Sequence, residues 1–238
     1  MLGALGWGAL AASSLVLGAV LSALRAWPPR QIGMVLAFGA GALISAIGFE
    51  LAGEGIEVGS FRAMAAGLAA GALVYFFLDG LIASRFSSGR GRGGRTGGAD
   101  SGAALALGAF LDGIPEQLVL GIGLAAGDGV GVGLLVAIFV SNLPEAIGSA
   151  SDMRESGTGE GRILLLWIAV AVTCTLASVA GFALADVVSG ELRAAIDGFA
   201  AGALLVMLID SMIPEATRES GRVAGLLTTL GFAVATAL

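Results

Sequence analysis

Two short stretches of this chain set a proline and a carboxylate side by side inside apolar sequence, Phe110–Gln117 (FLDGIPEQ) and Phe139–Ala146 (FVSNLPEA). Phe110 matches Phe139, Pro115 matches Pro144 and Glu116 matches Glu145, all at an offset of 29 residues. A carboxylate inside a run long enough to cross a bilayer is costly, and is a functional candidate by default. A proline there removes a backbone N–H and leaves a carbonyl without its helical partner. Asp112 and Glu116 are four residues apart and share one helical face. Ser141 and Glu145 repeat that spacing, with Asn142 beside them. Together with the Leu111 and Val140 carbonyls that Pro115 and Pro144 free, these side chains make an all-oxygen cage. Three carboxylates gathered away from water cannot all stay charged alone; they take up protons or bind a cation. Oxygen ligands favour hard divalent ions such as Mn²⁺, Mg²⁺ or Fe²⁺, and Zn²⁺ also accepts carboxylates. Proton-sharing carboxylates that hold two helices together are the structural alternative. The chemistry indicated is capture and transfer of a cation, more than catalysis.

The elements that must carry these groups are membrane helices. The chain has 238 residues, 57% hydrophobic and 13% charged, against about 25% charged in a soluble domain. Many of its 40 glycines lie with Ala and Ser inside apolar runs, where small residues let membrane helices approach closely. Net charge is −6, Lys is absent, and no basic surface suggests nucleic acid. Cys174 is alone, so an intramolecular disulfide is impossible, and His is absent, which removes the commonest metal ligand and every His-dependent mechanism. No GxxxxGK[ST] or His-Glu-x-x-His motif and no nucleophile–base pair points to an enzyme.

At ~20 residues per span, hydropathy predicts an all-α integral membrane protein of eight helices, about 3–24, 31–51, 61–84, 103–126, 129–151, 162–188, 193–213 and 221–238. They form a single transmembrane domain, 1–238, with a Gly/Arg-rich loop at 85–102. Met1–Leu24 lacks a positive n-region and reads as the first span rather than a signal peptide. Ten arginines fall on one side of this plan; only Arg62 and Arg193 fall on the other. The positive-inside bias then puts both termini and the latter pair outside, in a multi-pass protein of the plasma membrane. Measured from a turn near Gly127 at ~1.5 Å per residue, the two carboxylate sets lie at similar depth, roughly 20 Å in.

A second repeat pairs Phe38–Glu54 with Phe199–Glu215: Phe38 with Phe199, Gly41 with Gly202, Leu43 with Leu204 and Glu54 with Glu215. These stretches lie on the second and seventh spans, which run in opposite directions. Similar sequence in opposite orientation is the mark of a 3+2+3 inverted-repeat transporter. Glu50 and Glu54 stand where they can collect cations at an entrance; Asp210 and Glu215 stand toward an exit.

At these residues the chain resembles the ZIP (Zrt/Irt-like) family of divalent metal transporters, over nearly its whole length. The family's fourth helix carries His-Asn-x-Pro-Glu-Gly, matched here by Asp112-Gly113-Ile114-Pro115-Glu116-Gln117. Its fifth helix carries a related His-Glu/Asp-x-Pro-Glu/His motif, matched by Ser141-Asn142-Leu143-Pro144-Glu145. The stretch Gly198–Ala216 looks like the family's seventh helix. The resemblance implies a metal site at Asp112, Glu116 and Glu145, with Ser141 and Asn142 as further ligands, and a homodimer. It also implies transport of Zn²⁺, Fe²⁺ or Mn²⁺ into the cytoplasm, the metal being cargo and no cofactor being required. Asp112 and Ser141 replace the motif histidines, Gly113 offers no ligand for a second metal, and the loop lacks the histidines many members carry. The rival readings are a transporter of a non-metal solute and a ZIP-fold membrane protein that no longer transports.

Overall fold

Small residues decide how these helices meet. The computed structural model describes residues 1–86, 113–125 and 132–238, and the described residues are helical apart from short connections, without strands. In chain order the helices are α1 (Leu2–Leu24), α2 (Pro29–Val58), α3 (Phe61–Phe86), α4 (Gly113–Ala125), α5 (Val132–Glu155), α6 (Glu160–Leu184), α7 (Gly190–Ser220) and α8 (Val223–Thr236). Six are long and apolar enough to cross a membrane; α4, as described, and α8 are shorter apolar helices. The chain is an all-α, multi-pass membrane protein.

Local chemistry sets the ends. Pro29 opens α2, where a missing N–H costs nothing. Ser60 Oγ accepts from Ala63 N at the start of α3, and Ser189 Oγ accepts from Leu192 N at the start of α7. Gly221, at φ +62°, supplies the left-handed turn that ends α7.

Two helices run further than a ~20-residue span predicts. α2 continues to Val58 rather than 51, and α7 to Ser220 rather than 213. Each is interrupted by a π-helical segment, Ile47–Gly53 in α2 and Leu208–Met212 in α7, and then resumes as α-helix. A helix breaker sits just beyond or at the end of each: Gly53 and Pro214. Pro214 falls in the first turn of the resumed helix, where its ring and absent N–H are tolerated. The third helix also extends past 84, so Arg85 and Phe86 belong to α3 and not to the loop. The remainder of that loop, the Leu111 carbonyl, Asp112 and the turn near Gly127 lie outside the described residues.

The packing pairs are specific. α2 lies on α8, and α3 on α7. α1 packs on α5 and α6, and α4 on α6 through Gly121 and Gly181. At Gly41 a Cβ would overlap the Thr228 carbonyl, and at Gly231 the Phe38 carbonyl. At Gly202 it would overlap the Leu68 carbonyl, and at Gly71 the Phe199 carbonyl. One buried cluster draws Leu43, Leu51, Leu120, Ile138 and Leu204 from α2, α4, α5 and α7; a second joins Leu15, Ala146 and Trp167 of α1, α5 and α6. α3 buries 22% of its apolar window against 61% for α2 and α5. It is therefore peripheral in the bundle and leaves most of its surface uncovered.

Arginines mark one end of the bundle. Arg154 at the end of α5 donates to the Ser22 carbonyl (2.9 Å) near the end of α1 and pairs with Glu160 at the start of α6. Gly33, in the first turns of α2, packs on Glu219 and Ser220 at the end of α7. Arg25, Arg30, Arg154, Arg162, Arg218 and Arg222 share that end, while Arg62 and Arg193 stand at the other.

Candidate functional site

The described motif carboxylate of α4, Glu116, faces the bundle interior. Glu116 and Gln117 of α4 are each 1% exposed, and Ser141 (1%), Asn142 (4%) and Pro144 of α5 are buried as well. Glu145 is half-buried and close enough to Glu116 for their charges to interact. Glu116 Oε2 meets no hydrogen-bond partner among the described residues, nor does either polar atom of Gln117. A buried carboxylate oxygen without a donor costs stability; such a group is kept when something else uses it.

Helix packing sets these positions. Gly39 brings the α2 backbone against Ser141, where a Cβ would lie 3.1 Å from Ser141 Cα. Ser141 Oγ meanwhile donates to the Ile138 carbonyl (3.1 Å), a local bond that leaves its lone pairs available. Pro144 lies within a continuous α5, so the Val140 carbonyl loses its i+4 partner, as expected from sequence. Among the described residues no three acidic or cysteine side chains converge as a metal cluster. The described core of the site is the Glu116–Glu145 pair with Ser141 and Asn142, and Asp112 lies outside the described residues. A neighbouring cavity of about 200 Å³ between α4 and α7 is walled by Ile114, Pro115, Leu118, Ile196, Phe199 and Ala200. Among the described residues it has one aromatic wall and no polar side chain to orient an organic solute.

A second group of charges forms at the end where α2 finishes and α7 begins. Glu50 and Glu54 of α2 share a cavity of about 70 Å³ with Arg193 and Asp197 of α7, closed by residues of α4 and α5. Glu50 Oε2 accepts from Leu134 N (2.9 Å) in the first turn of α5, a charge-assisted bond that suits a helix N-terminus. Arg193 Nη2 lies 3.3 Å from Glu54 Oε2, and Arg193 Nε lies 3.8 Å from Asp197 Oδ2. The sequence candidates Glu50 and Glu54 are thus brought together. Asp210 is not part of this group: it is exposed in the π segment of α7, and Glu215 is half-buried in the turn that follows.

Asp197 escaped the sequence reading, and Arg193 was counted only as a topology signal. The signal available was their i, i+4 spacing at the start of an apolar helix. Gly133 makes room for this arrangement, since a Cβ there would overlap Glu50 Oε1. Gly133→Ala is therefore expected to break the Glu50–Leu134 bond and to cost about 1–2 kcal/mol. Thermal unfolding in detergent checks this; a midpoint equal to wild type would show that Glu50 does not anchor α5.

No family model matches the chain. It is 30% identical over 213 residues to an Arabidopsis thaliana protein described as a "putative zinc transporter", an alignment covering 88% of this chain. The chain spans about a third (34%) of the length of that relative.

Proposed function

We propose that the chain is a ZIP-like secondary transporter that carries a divalent metal cation, Zn²⁺, Fe²⁺ or Mn²⁺, across the membrane into the cytoplasm. The observation that carries this reading is Glu116: a carboxylate 1% exposed, one oxygen without a partner among the described residues, beside Glu145 and next to a helix-breaking proline. Asp112, Ser141 and Asn142 complete the ligand set. The zinc-transporter description of the plant relative agrees with it, and the apolar walls of the neighbouring cavity count against an organic solute.

The helices form a 3+2+3 inverted repeat. Two features support it. The π segments of α2 and α7 begin at Ile47 and Leu208, 161 residues apart, the offset that also pairs Phe38 with Phe199 and Gly41 with Gly202. The close contacts also correspond. Gly41 on Thr228 and Phe38 on Gly231 join α2 to α8, as Gly202 on Leu68 and Phe199 on Gly71 join α7 to α3. In this arrangement the arginine-rich end faces the cytoplasm, both termini lie outside, and the cavity of Glu50, Glu54, Arg193 and Asp197 is the outer mouth. The cation sheds part of its water at the mouth and is held between α4 and α5. It leaves past Asp210 and Glu215 as the helix groups rock or slide past each other. The chain works in the plasma membrane as a homodimer, with lipid bilayer around it.

The test is uptake into proteoliposomes of purified protein, with Zn²⁺, Fe²⁺, Mn²⁺ and Mg²⁺ supplied singly. Saturable uptake of at least one ion above empty vesicles is expected. Absence of flux for every ion, from protein that is folded and monodisperse, would sink the reading.

A further inference from the structure

Arg193 is placed oddly for a topology signal. Of the two described arginines at its end of the bundle, Arg62 is exposed, whereas the Arg193 side chain is 13% exposed and lies in the wall of the charged cavity. It faces Asp197, 4% exposed, on its own helix, and reaches across to Glu54 on α2. Yet neither contact is tight. The separations of 3.3 and 3.8 Å exceed the roughly 2.7–2.9 Å of a good charge-assisted hydrogen bond. Arg193 Nε and Asp197 Oδ1 have no hydrogen-bond partner among the described residues. The guanidinium thus makes one long hydrogen bond, to Glu54, and meets Asp197 only as an ion pair beyond hydrogen-bond distance. Glu50 lines the same cavity but is engaged by Leu134 N, so Arg193 is paired with Glu54 and Asp197 while a third carboxylate stands in the wall.

We propose that Arg193 is a tethered counter-cation that plugs this mouth, so that a cation enters only by displacing the guanidinium from Glu54 and Asp197. The proposal rests on the reading of this cavity as the entrance. A compact divalent ion carries twice the charge of the plug and takes oxygens from several directions, which a planar guanidinium cannot match at these distances. Arg193 is in this sense a specificity-determining residue: monovalent ions compete with it poorly. An entrance open for only a fraction of the time raises the apparent dissociation constant by the inverse of that fraction, about fivefold for an open fraction of about one-fifth.

Two measurements test the plug. The first needs no transport. Gly123 lines the same cavity, and a Cβ there meets nothing within 4 Å, so Gly123→Cys is a tolerated reporter in a Cys174→Ser background. In detergent, a neutral maleimide is expected to label this cysteine about fivefold faster with Arg193→Gln. Arg193→Lys is expected to stay within about twofold of the parent. Glu54→Gln, which removes the cross-helix partner, gives a second route to faster labelling if Arg193→Gln does not fold. Labelling unchanged in Arg193→Gln or Glu54→Gln overturns the plug, as does Arg193→Lys labelling as fast as Arg193→Gln. The second measurement is uptake in proteoliposomes, where Arg193→Gln is expected to lower KM about fivefold with the maximal rate little changed. An unchanged or raised KM overturns the plug. A wild type that moves no ion overturns the transport reading instead, and the labelling arm still decides the fate of Arg193.

Discussion

Replacing Glu116 with glutamine is expected to bring divalent-metal uptake to background while leaving the protein at least as heat-stable as the wild type. The two effects have one cause. Glu116 is 1% exposed, and its Oε2 has no hydrogen-bond partner among the described residues. In the resting protein that oxygen is a cost of about 1–3 kcal/mol. In the proposed transport cycle the carboxylate offsets a divalent charge in a medium where few other ligands exist. Glutamine keeps the volume and one acceptor but loses the charge. Leaving a buried cation short of a partner costs about 3–5 kcal/mol, which is at least about a hundredfold in affinity at the transport site. The resting state gains, because a neutral amide is cheaper to bury than a carboxylate. A rise in the unfolding midpoint of about 2–4 °C corresponds to each kcal/mol gained in a chain of this size. Glu145→Gln is expected to lose uptake as fully without the gain in stability, since Glu145 is half-buried and already has an interaction partner. Uptake by Glu116→Gln within threefold of wild type, at equal protein density, would remove Glu116 from the cargo site.

The candidate site stands out in the sequence because it is built from anomalies. A Pro-Glu pair inside apolar sequence has no cheap structural explanation, and two copies at one offset have still less. The burial of Glu116, Ser141 and Asn142 follows that reading. The helices were legible for the same reason, as hydropathy counts residues and a bilayer fixes how many are needed, although among the described residues six reach that length and Gly113–Ala125 and Val223–Thr236 are shorter. What hydropathy does not report is hydrogen-bond register. The π segments at Ile47–Gly53 and Leu208–Met212 carry α2 and α7 past the expected ends, and nothing in a count of apolar residues marks a shift from i−4 to i−5 bonding. Asp197 was missed because it belongs to a pair whose other member, Arg193, already had an explanation as a topology signal. The partner of Arg193 across the cavity, Glu54, is 139 residues away along the chain, and only the meeting of α2 with α7 joins them. Glycine content predicted close helix packing, but which glycines face a backbone depends on the neighbouring helix.

That last question has a sharp experimental answer. Gly71→Ala and Gly231→Ala are expected to be among the most destabilising single-methyl additions in the chain, whereas Gly80→Ala and Gly225→Ala, on the same two helices, are expected to be harmless. A Cβ on Gly71 would overlap the Phe199 carbonyl, and one on Gly231 the Phe38 carbonyl. The clash is with backbone, so no rotamer change relieves it, and α3 must move away from α7, or α8 from α2. Between membrane helices there is little hydrophobic drive to hold a loosened pair together. The contact is van der Waals packing, and separating the helices forfeits it along the whole seam. Overpacking costs about 1–3 kcal/mol where side chains can yield, and more where they cannot. By contrast, a Cβ on Gly80 or Gly225 meets nothing within 4 Å, and alanine there gains up to about 1 kcal/mol in helix propensity. Unfolding midpoints in detergent should therefore separate the two classes by more than about 5 °C. The proposed inverted repeat adds a further condition. Gly71 and Gly231 occupy corresponding positions, so their losses should be similar in size. A large loss at one and none at the other would mean that the two helix pairs do not share a geometry, and the case for the repeat would fall back on sequence similarity alone.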